Sequence, residues 1–199
     1  MAWKLSLPLV TAFAISGCAS MADGMSKAAG LGVVKQETSA FDNATVITAS
    51  PTFLYAKGSW GNSVKLGARW SSAAPDSVAL ILAHDSNTSG YGDVYLGLTG
   101  IDINVDGDIS SHASAGSTDL DSSGYNTVSK TIYTSSKNTV IIPYALLERM
   151  VAAQDCRIRI HTSKGYEDAQ FSLERIPGGQ GTAILAIKEL MTKVAAVKG

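Results

Sequence analysis

The chain has only two cysteines among its 199 residues, Cys18 and Cys156. A secreted scaffold held together by disulfides needs several pairs, so this class of fold is excluded. Stability must therefore come from a hydrophobic core, and a chain of this length can bury one. Cys156 begins the run Cys-Arg-Ile-Arg-Ile, in which apolar and charged residues alternate. The alternation predicts a strand with Cys156 as an inert, packed thiol; a reactive or intermolecular thiol is the alternative.

The sequence also lacks recognisable catalytic and cofactor motifs. It contains no Gly-x-Ser-x-Gly, no phosphate-binding loop, no dinucleotide fingerprint and no His-Glu-x-x-His. Its histidines, His84, His112 and His161, are scattered without the spacing of metal ligands. We therefore expect no catalytic residues, no cofactor and no metal, and a protein that is not an enzyme. A hydrolase or redox enzyme is an alternative, for which His84, Asp85 and Cys156 are the available parts.

Basic residues are absent from the middle of the chain. Between Ser71 and Ser129 there is no Lys or Arg, whereas this segment carries eight aspartates. The formal net charge of the whole chain is only -1, so nothing indicates nucleic-acid binding. Such a segment forms either a cation-binding face or strands whose charges are neutralised by basic strands from the flanks. We favour the second interpretation.

One part of the acidic segment is similar to the start of a calcium loop. In residues 102–108 (Asp-Ile-Asn-Val-Asp-Gly-Asp), oxygen-bearing side chains occupy positions 1, 3 and 5 and glycine occupies position 6. Position 12, which should supply a bidentate carboxylate, is Ala113. The intervening Ile103 and Val105 suit a strand. We therefore predict a strand followed by an Asp-Gly turn, with a calcium-stabilised binding module as the alternative.

The N-terminal residues have the features of an export signal. A single cation, Lys4, precedes an apolar run from Leu5 to Ile15, followed by Ser-Gly and then Cys18. The run of about 11 residues is too short to span a bilayer, which takes about 20. The Ile-Ser-Gly-Cys sequence resembles the lipobox of bacterial lipoproteins. An ordinary signal peptide is the alternative.

The lipobox resemblance implies that residues 1–17 are a signal peptide and that Cys18 is the site of lipid attachment. In this family the cysteine receives diacylglycerol, becomes the new N-terminus and is acylated again, with palmitate as a usual chain. Three acyl chains make the attachment effectively permanent. Ala19 follows the cysteine, in place of the aspartate that retains enteric lipoproteins in the inner membrane. The resemblance therefore implies the periplasmic face of the outer membrane.

The rest of the chain divides into a tether and one domain. Residues 19–40 are mostly small and glycine-bearing without sustained periodicity, which predicts that residues 18–43 are the lipidated cysteine and a flexible tether; a short helix around residues 21–29 is the alternative. From Ala44 onward, short runs of alternating apolar and polar residues predict about nine to ten strands. Residues 110–126 are of low complexity and predict a long mobile loop.

Helices are predicted only late in the domain, which spans residues 44–199. Pro143 suits the first position of a helix, and apolar residues recur at helical spacing from Leu146 to Val151. A final helix is predicted over residues 181–197, and we expect its apolar face to dock on the sheet. That face comprises Ile184, Ile187, Met191 and Val194. The expected fold is mainly β, a sandwich or open barrel with a short internal helix and a C-terminal helix.

Aromatic residues are the remaining candidates for ligand contacts. They suit a saccharide or peptide groove, but also cross-strand packing, which we favour. The candidates are Trp60, Trp70, Tyr91, Tyr95, Tyr125, Tyr133, Tyr144 and Tyr166. No motif specifies a ligand. We expect a non-enzymatic lipoprotein with a binding or structural role in the cell envelope, whose partner is another envelope protein, peptidoglycan or a lipid.

Overall fold

Most of the chain folds into two antiparallel sheets, seen in a computed structural model that describes residues 14–56, 63–88, 95–128 and 130–199. These residues contain ten strands and three helices. The strands are β1 (Val34–Thr38), β2 (Thr45–Thr52), β3 (Val64–Ser71), β4 (Ser77–Thr88), β5 (Leu98–Val105), β6 (Asp108–Ala113), β7 (Asp119–Asn126), β8 (Thr131–Pro143), β9 (Cys156–Thr162) and β10 (Gly165–Gln170). The helices are α1 (Ala14–Ala28), α2 (Tyr144–Ala152) and α3 (Ala183–Lys198).

The two sheets enclose one core. The six-stranded sheet has the order β1-β2-β3-β4-β8-β7, and the four-stranded sheet has the order β10-β9-β5-β6. Their inward-facing side chains form a single hydrophobic cluster. Isolated bridges join the sheets on both sides, Tyr55 with Gln170 and Ser114 with Val140. The predicted class, a mainly β sandwich or open barrel with a C-terminal helix, is therefore confirmed.

The C-terminal helix α3 packs on β2 and β3. Its buried face includes Ile184, Ile187 and Val194 as predicted, and Leu190 in addition. Met191 is only partly buried at the edge of this face. Because the apolar side chains leave water here, the helix docks in the folded domain as the sequence pattern predicts.

The internal helix α2 begins directly after Pro143. This proline ends β8, where it pairs with Ser77, and occupies the N-cap position of the helix. A proline at this boundary costs little because the first N–H groups of a helix have no partner within it. Tyr144, Leu147 and Met150 are the buried residues of the helix.

The prediction of a flexible tether over residues 18–43 is wrong. Helix α1 and strand β1 lie within this range, and β1 pairs with β2 along its whole length. The helix is fixed by Asp23, which accepts hydrogen bonds of 3.1 and 2.8 Å from the guanidinium of Arg175. The alternative of a helix around residues 21–29 agrees with α1. Contacts with Arg175, which is far from α1 in the sequence, stabilise this helix although its own composition favours disorder.

The prediction of a mobile loop over residues 110–126 is also wrong. β6 covers part of this range and pairs with β5, and β7 covers another part and pairs with β8. The two strands are polar because both lie at sheet edges with largely exposed side chains. Backbone hydrogen bonds to the neighbouring strands hold them in place, and these bonds leave no signal in side-chain composition.

Candidate functional site

A groove of about 680 Å³ lies on the outer face of the four-stranded sheet. Its volume is within the range of clefts that hold small ligands. We term it the sheet groove, and it is lined by Tyr55, Asp102, Asn104, Ile109, Arg157, Ile158, Arg159, Asp168, Ala169 and Gln170. The floor is formed by strands β5, β9 and β10, with β6 and Tyr55, three residues after β2, at its sides.

Strict alternation along the strands places polar side chains in this groove. In β9 the apolar Cys156, Ile158 and Ile160 are buried, so that Arg157 and Arg159 point outward. The same alternation in β5 buries its isoleucines and leaves aspartate and asparagine side chains on the outer face. The core therefore fixes which side chains face the ligand side of the sheet.

Strand register arranges the polar side chains in two rows across the sheet. In one row Arg159 lies between Asp102 of β5 and Asp168 of β10. In the next row Arg157 lies between Asn104 and Gln170. Cross-strand neighbours of this kind are close enough for side chains to interact directly.

Arg159 and Asp168 form the most ordered pair of the first row. The Nε and Nη2 atoms of Arg159 donate to the two carboxylate oxygens of Asp168 at 2.7 and 2.9 Å. Hydrogen bonding to the guanidinium lowers the pKa of Asp168 below its usual value. The guanidinium also lies 4.1 Å from the ring centroid of Tyr166, a stacked cation–π contact. Arg159 is thus held in one orientation by two neighbours.

Asp102, at the other end of this row, is held by two hydrogen-bond donors. Its carboxylate lies 2.9 Å from Nε2 of His161. Hydrogen bonds from Ser111 and His161 lower the pKa of Asp102. The carboxylate is therefore ionised at neutral pH and has a fixed position in the groove.

The second row contributes a further cation and two amides. Arg157 pairs with Asp155 at 2.9 Å, and Gln170 donates to the same carboxylate at 3.2 Å. Asn104 accepts a 2.8 Å hydrogen bond from the backbone N–H of Gly107. Beside this row Ile109 is 66% exposed, so the groove has an apolar rim.

This arrangement favours an uncharged polar ligand over an isolated ion. Arg157, Arg159 and Asp168 each already have an oppositely charged partner on the protein. An ionic ligand would have to break such a pair, whereas hydroxyl and amide groups can bond in the groove without breaking it. The exposed side chains of Ile109 and Tyr166 provide apolar surface alongside them.

Three aspartates of the acidic middle segment lie beside basic residues from the flanks, the arrangement that we favoured from the sequence. Asp85 pairs with Lys65 at 2.8 Å, and Asp108 pairs with Arg149 at 2.6 Å. Asp102 lies opposite Arg159 in the register described above. These three aspartates are thus neutralised across the sheet or by a neighbouring element.

Residues 102–108 form the predicted strand and turn. β5 ends at Val105, and β6 begins at Asp108 after a two-residue turn. The turn residues Asp106 and Gly107 have φ values of 50° and 100°, as an Asp-Gly hairpin turn requires. The carboxylate of Asp106 accepts a hydrogen bond from the N–H of Asp155 at 2.8 Å. Within the described part of the chain, no cluster of three His, Cys, Asp or Glu residues is placed to hold a metal ion.

The residues considered for catalysis do not come together. Asp85 lies on the exposed face of β4 beside Lys65, whereas His84 lies 3.4 Å from the carbonyl of Ser63. Neighbouring residues of a strand point to opposite faces, so these two cannot act as a relay. Cys156 lies in the other sheet and is fully buried, as predicted for a packed thiol. Burial raises its pKa to about 12.

The aromatic candidates divide between the core and the surface. Trp70 and Tyr144 are buried, in agreement with a packing role. The exposed aromatics are Tyr95, Tyr125, Tyr133 and Tyr166. Trp60 and Tyr91 lie outside the described residues. Of the exposed set, Tyr166 is the one next to the sheet groove.

Sequence reasoning missed most of the groove. The alternation in residues 156–160 could have placed Arg157 and Arg159 on an exposed face. The hairpin turn after β9 could have indicated that Asp168 lies opposite Arg159. Tyr55 and Ile109 carry no such signal, because they come to the groove only through contacts between sheets and at a sheet edge.

Comparison with known proteins gives no family for this chain. No family model, curated protein or solved structure matches it. Among the described residues, none of the helices has the length and apolar character needed to cross a bilayer. Function must therefore be argued from the site and from the sequence.

Proposed function

We propose that the protein is a lipid-anchored component of the bacterial cell envelope that binds a polar envelope polymer in the sheet groove. The observation that carries this proposal is the pair of rows in which Asp102, Arg159 and Asp168 lie beside Asn104 and Arg157. Internally paired charges next to exposed apolar surface suit hydroxyl and amide groups. The proposed role is binding, without a chemical step.

The proposed anchor is a lipid on Cys18. The Ile-Ser-Gly-Cys sequence that resembles a lipobox supports it, with residues 1–17 as the signal peptide. Ala19 after the cysteine supports sorting to the outer membrane with the domain in the periplasm. The lipid is sufficient by itself to hold the domain at the membrane.

Peptidoglycan is the ligand that we propose for the groove. Its glycan strands present uncharged hydroxyl and acetamido groups on apolar ring faces, and its peptides add amides. The ring faces can stack on Tyr166 or contact Ile109, both of which are more than half exposed. The polar groups can bond to the side-chain amides of Asn104 and Gln170 and to the carboxylate of Asp102.

Metabolic labelling tests the anchor. Cells that express the full chain should incorporate palmitate into the protein, and the mature N-terminus should be the lipidated Cys18. The variant Cys18→Ala should remain unprocessed or be released as a soluble product. An unlabelled mature protein that begins at another residue would contradict the lipoprotein proposal.

Co-sedimentation with purified peptidoglycan tests the groove. The variants Arg159→Ala and Ile109→Asp should reduce binding at least about tenfold, equivalent to about 1.4 kcal/mol. Ile109 is 66% exposed, so its variant should fold normally. Lys188→Ala is the matched control, because it removes a similar surface ion pair, with Glu174, on α3. Binding by both groove variants at the control level would refute the proposed site.

A further inference from the structure

Helix α1 exposes two methionines on the side away from the domain. Met21 and Met25 are 70% and 69% exposed. Ala22, Asp23 and Ser26 are half-buried against the rest of the protein. The two methionines are four residues apart, a spacing that puts them on one face of a helix. Methionine is flexible and apolar, so it adapts well to an irregular apolar partner.

The contacts of α1 fix its position on the domain. Asp23 accepts the N–H of Gly181 at 3.1 Å in addition to its bidentate pair with Arg175. Farther along the helix, Lys27 pairs with Glu189 of α3 at 2.9 Å. These contacts hold the helix along the start of α3 and leave its methionine face free to meet another surface.

The same contacts determine how far a lipid on Cys18 can lie from the domain. Cys18 lies in α1, five residues before Asp23. At about 1.5 Å per residue this distance is about 7.5 Å along the helix axis. The anchor would therefore be joined to the domain by a short docked helix, and not by a long flexible linker. The bilayer would have to lie close to Met21 and Met25.

The turn between β7 and β8 lies at the same end of the six-stranded sheet as α1. Register directs the end of β2, the start of β3, the end of β4 and the start of β8 toward this end. Strands β4 and β8 extend beyond β2 there, because Thr52 is level with Leu82, whereas β4 continues to Thr88. The start of α3, which holds α1, is also there, because Ala183 donates its N–H to the carbonyl of Phe53 just after β2. Both α1 and the β7–β8 turn are therefore at one end of the molecule.

The β7–β8 hairpin also exposes apolar side chains at this end. Val128 is 92% exposed at its tip, and Tyr125 and Tyr133 beside it are 61% and 47% exposed. Tyrosine is enriched where proteins meet the membrane–water interface, because its ring is apolar and its hydroxyl group is polar. Exposed apolar side chains on two separate elements thus lie at the end of the molecule from which the anchor would emerge.

We infer that this end, formed by Met21 and Met25 of α1 and by Tyr125, Val128 and Tyr133 of the β7–β8 hairpin, rests on the phospholipid surface that holds the anchor. We term it the membrane-facing end. The inference rests on the proposed lipid on Cys18, because a few exposed apolar side chains bind a bilayer only weakly by themselves. With the acyl chains in place, the side chains act at a high local concentration and orient the domain.

Site-specific fluorescence in vesicles tests this orientation. Cys156 is buried and Cys18 is consumed by the lipid, so a cysteine introduced at one exposed position can be labelled alone. Met25→Cys and Val128→Cys report on the membrane-facing end. Phe41→Cys is the matched control, because Phe41 is fully exposed in the β1–β2 turn at the opposite end of the sheet. Each lipidated protein is purified from membranes, labelled with an environment-sensitive dye and incorporated into phosphatidylethanolamine–phosphatidylglycerol vesicles that contain nitroxide-labelled lipids.

The dyes at residues 25 and 128 should be quenched at least about twofold more than the dye at residue 41. Equal quenching at all three positions, or quenching at residue 41 alone, would overturn the inference. A change in the fluorescence of the dye at residue 25 that depends on protein concentration but not on lipid would also overturn the inference. Such a change would mean that a second copy of the protein covers the methionine face. Palmitate labelling of the same samples separates the two proposals. A protein that carries palmitate but shows no selective quenching would support the anchor and refute the membrane-facing end. A protein that carries no palmitate would refute the anchor itself.

Discussion

The side chain of Cys156 is fully buried among the core residues of β9. Burial raises the pKa of its thiol to about 12, with smaller contributions from the carboxylates of Asp106 and Asp155. The thiolate is the reactive form of cysteine, so a thiol with this pKa is inert at neutral pH. Alternation in the sequence pointed to the same conclusion, because Cys156 shares its face with two isoleucines.

We therefore predict that Cys156 reacts only when the protein unfolds. In the variant Cys18→Ala, a thiol reagent at pH 8 should modify no cysteine in the native state and one cysteine in guanidinium chloride. In the folded protein the pKa of the Cys156 thiol lies above its ordinary value of 9.0. The stability that this protonated thiol contributes is therefore fully present below pH 9.0 and is lost as pH rises toward 12. Rapid modification of the native variant would contradict the packed environment.

At the scale of single elements, the ion pair between Asp23 and Arg175 is a principal contact that docks α1 on the domain. Hydrogen bonding from Arg175 lowers the pKa of Asp23 below its usual value of 3.8. The contribution of this carboxylate is therefore present above that value and is lost as pH falls through the lower folded pKa. The partner residues are 152 positions apart, which explains why the helix was difficult to predict from local sequence.

We predict that Asp23→Asn releases α1 without unfolding the sheets. Amide exchange should become faster over residues 22–29, whereas exchange in β3 and β4 should stay slow. Lys188→Ala, which breaks a surface ion pair of α3 with Glu174, is the control and should leave exchange in α1 unchanged. Unchanged exchange in Asp23→Asn would mean that the remaining contacts of α1 are sufficient to dock it.

The β5–β6 hairpin allows a test of the calcium alternative. Asn104 and Asp106 accept backbone hydrogen bonds from Gly107 and Asp155, so their oxygens already stabilise the hairpin. We predict that millimolar calcium does not raise the melting temperature. A ligand at 100 times its Kd would stabilise the fold by about 2.7 kcal/mol, a shift that thermal unfolding readily detects. A calcium-dependent rise that disappears in Asp106→Asn would favour the calcium-stabilised module instead.

At the scale of the whole molecule, α3 completes the core on the side of β2 and β3. Ile187 is fully buried between the helix and the sheet. We predict that Ile187→Ala lowers the free energy of unfolding by about 2–5 kcal/mol, as expected for a large-to-small change in a core. Thr192→Ala, on the exposed side of the same helix, should change it by no more than about 0.5 kcal/mol. Urea unfolding of both variants measures the difference, and equal values would show that α3 is peripheral.

The sequence by itself determined the class of the fold and the direction of many side chains. Period-two alternation in residues 156–160 and helical spacing in residues 184–194 report which face is apolar, and the core must bury that face in any fold. Pro143 marked the boundary between β8 and α2, because proline suits the start of a helix. These features are local, so they can be deduced from neighbouring residues.

Only the tertiary structure decided which distant residues meet. The pairing of Asp23 with Arg175, the row of Asp102, Arg159 and Asp168, and the polar edge strand β7 all depend on strand order and register. Polar side chains are compatible with both a loop and an exposed strand, because the backbone hydrogen bonds that distinguish the two come from another part of the chain. The sheet groove is therefore a product of register, whereas the faces that form it follow from the sequence.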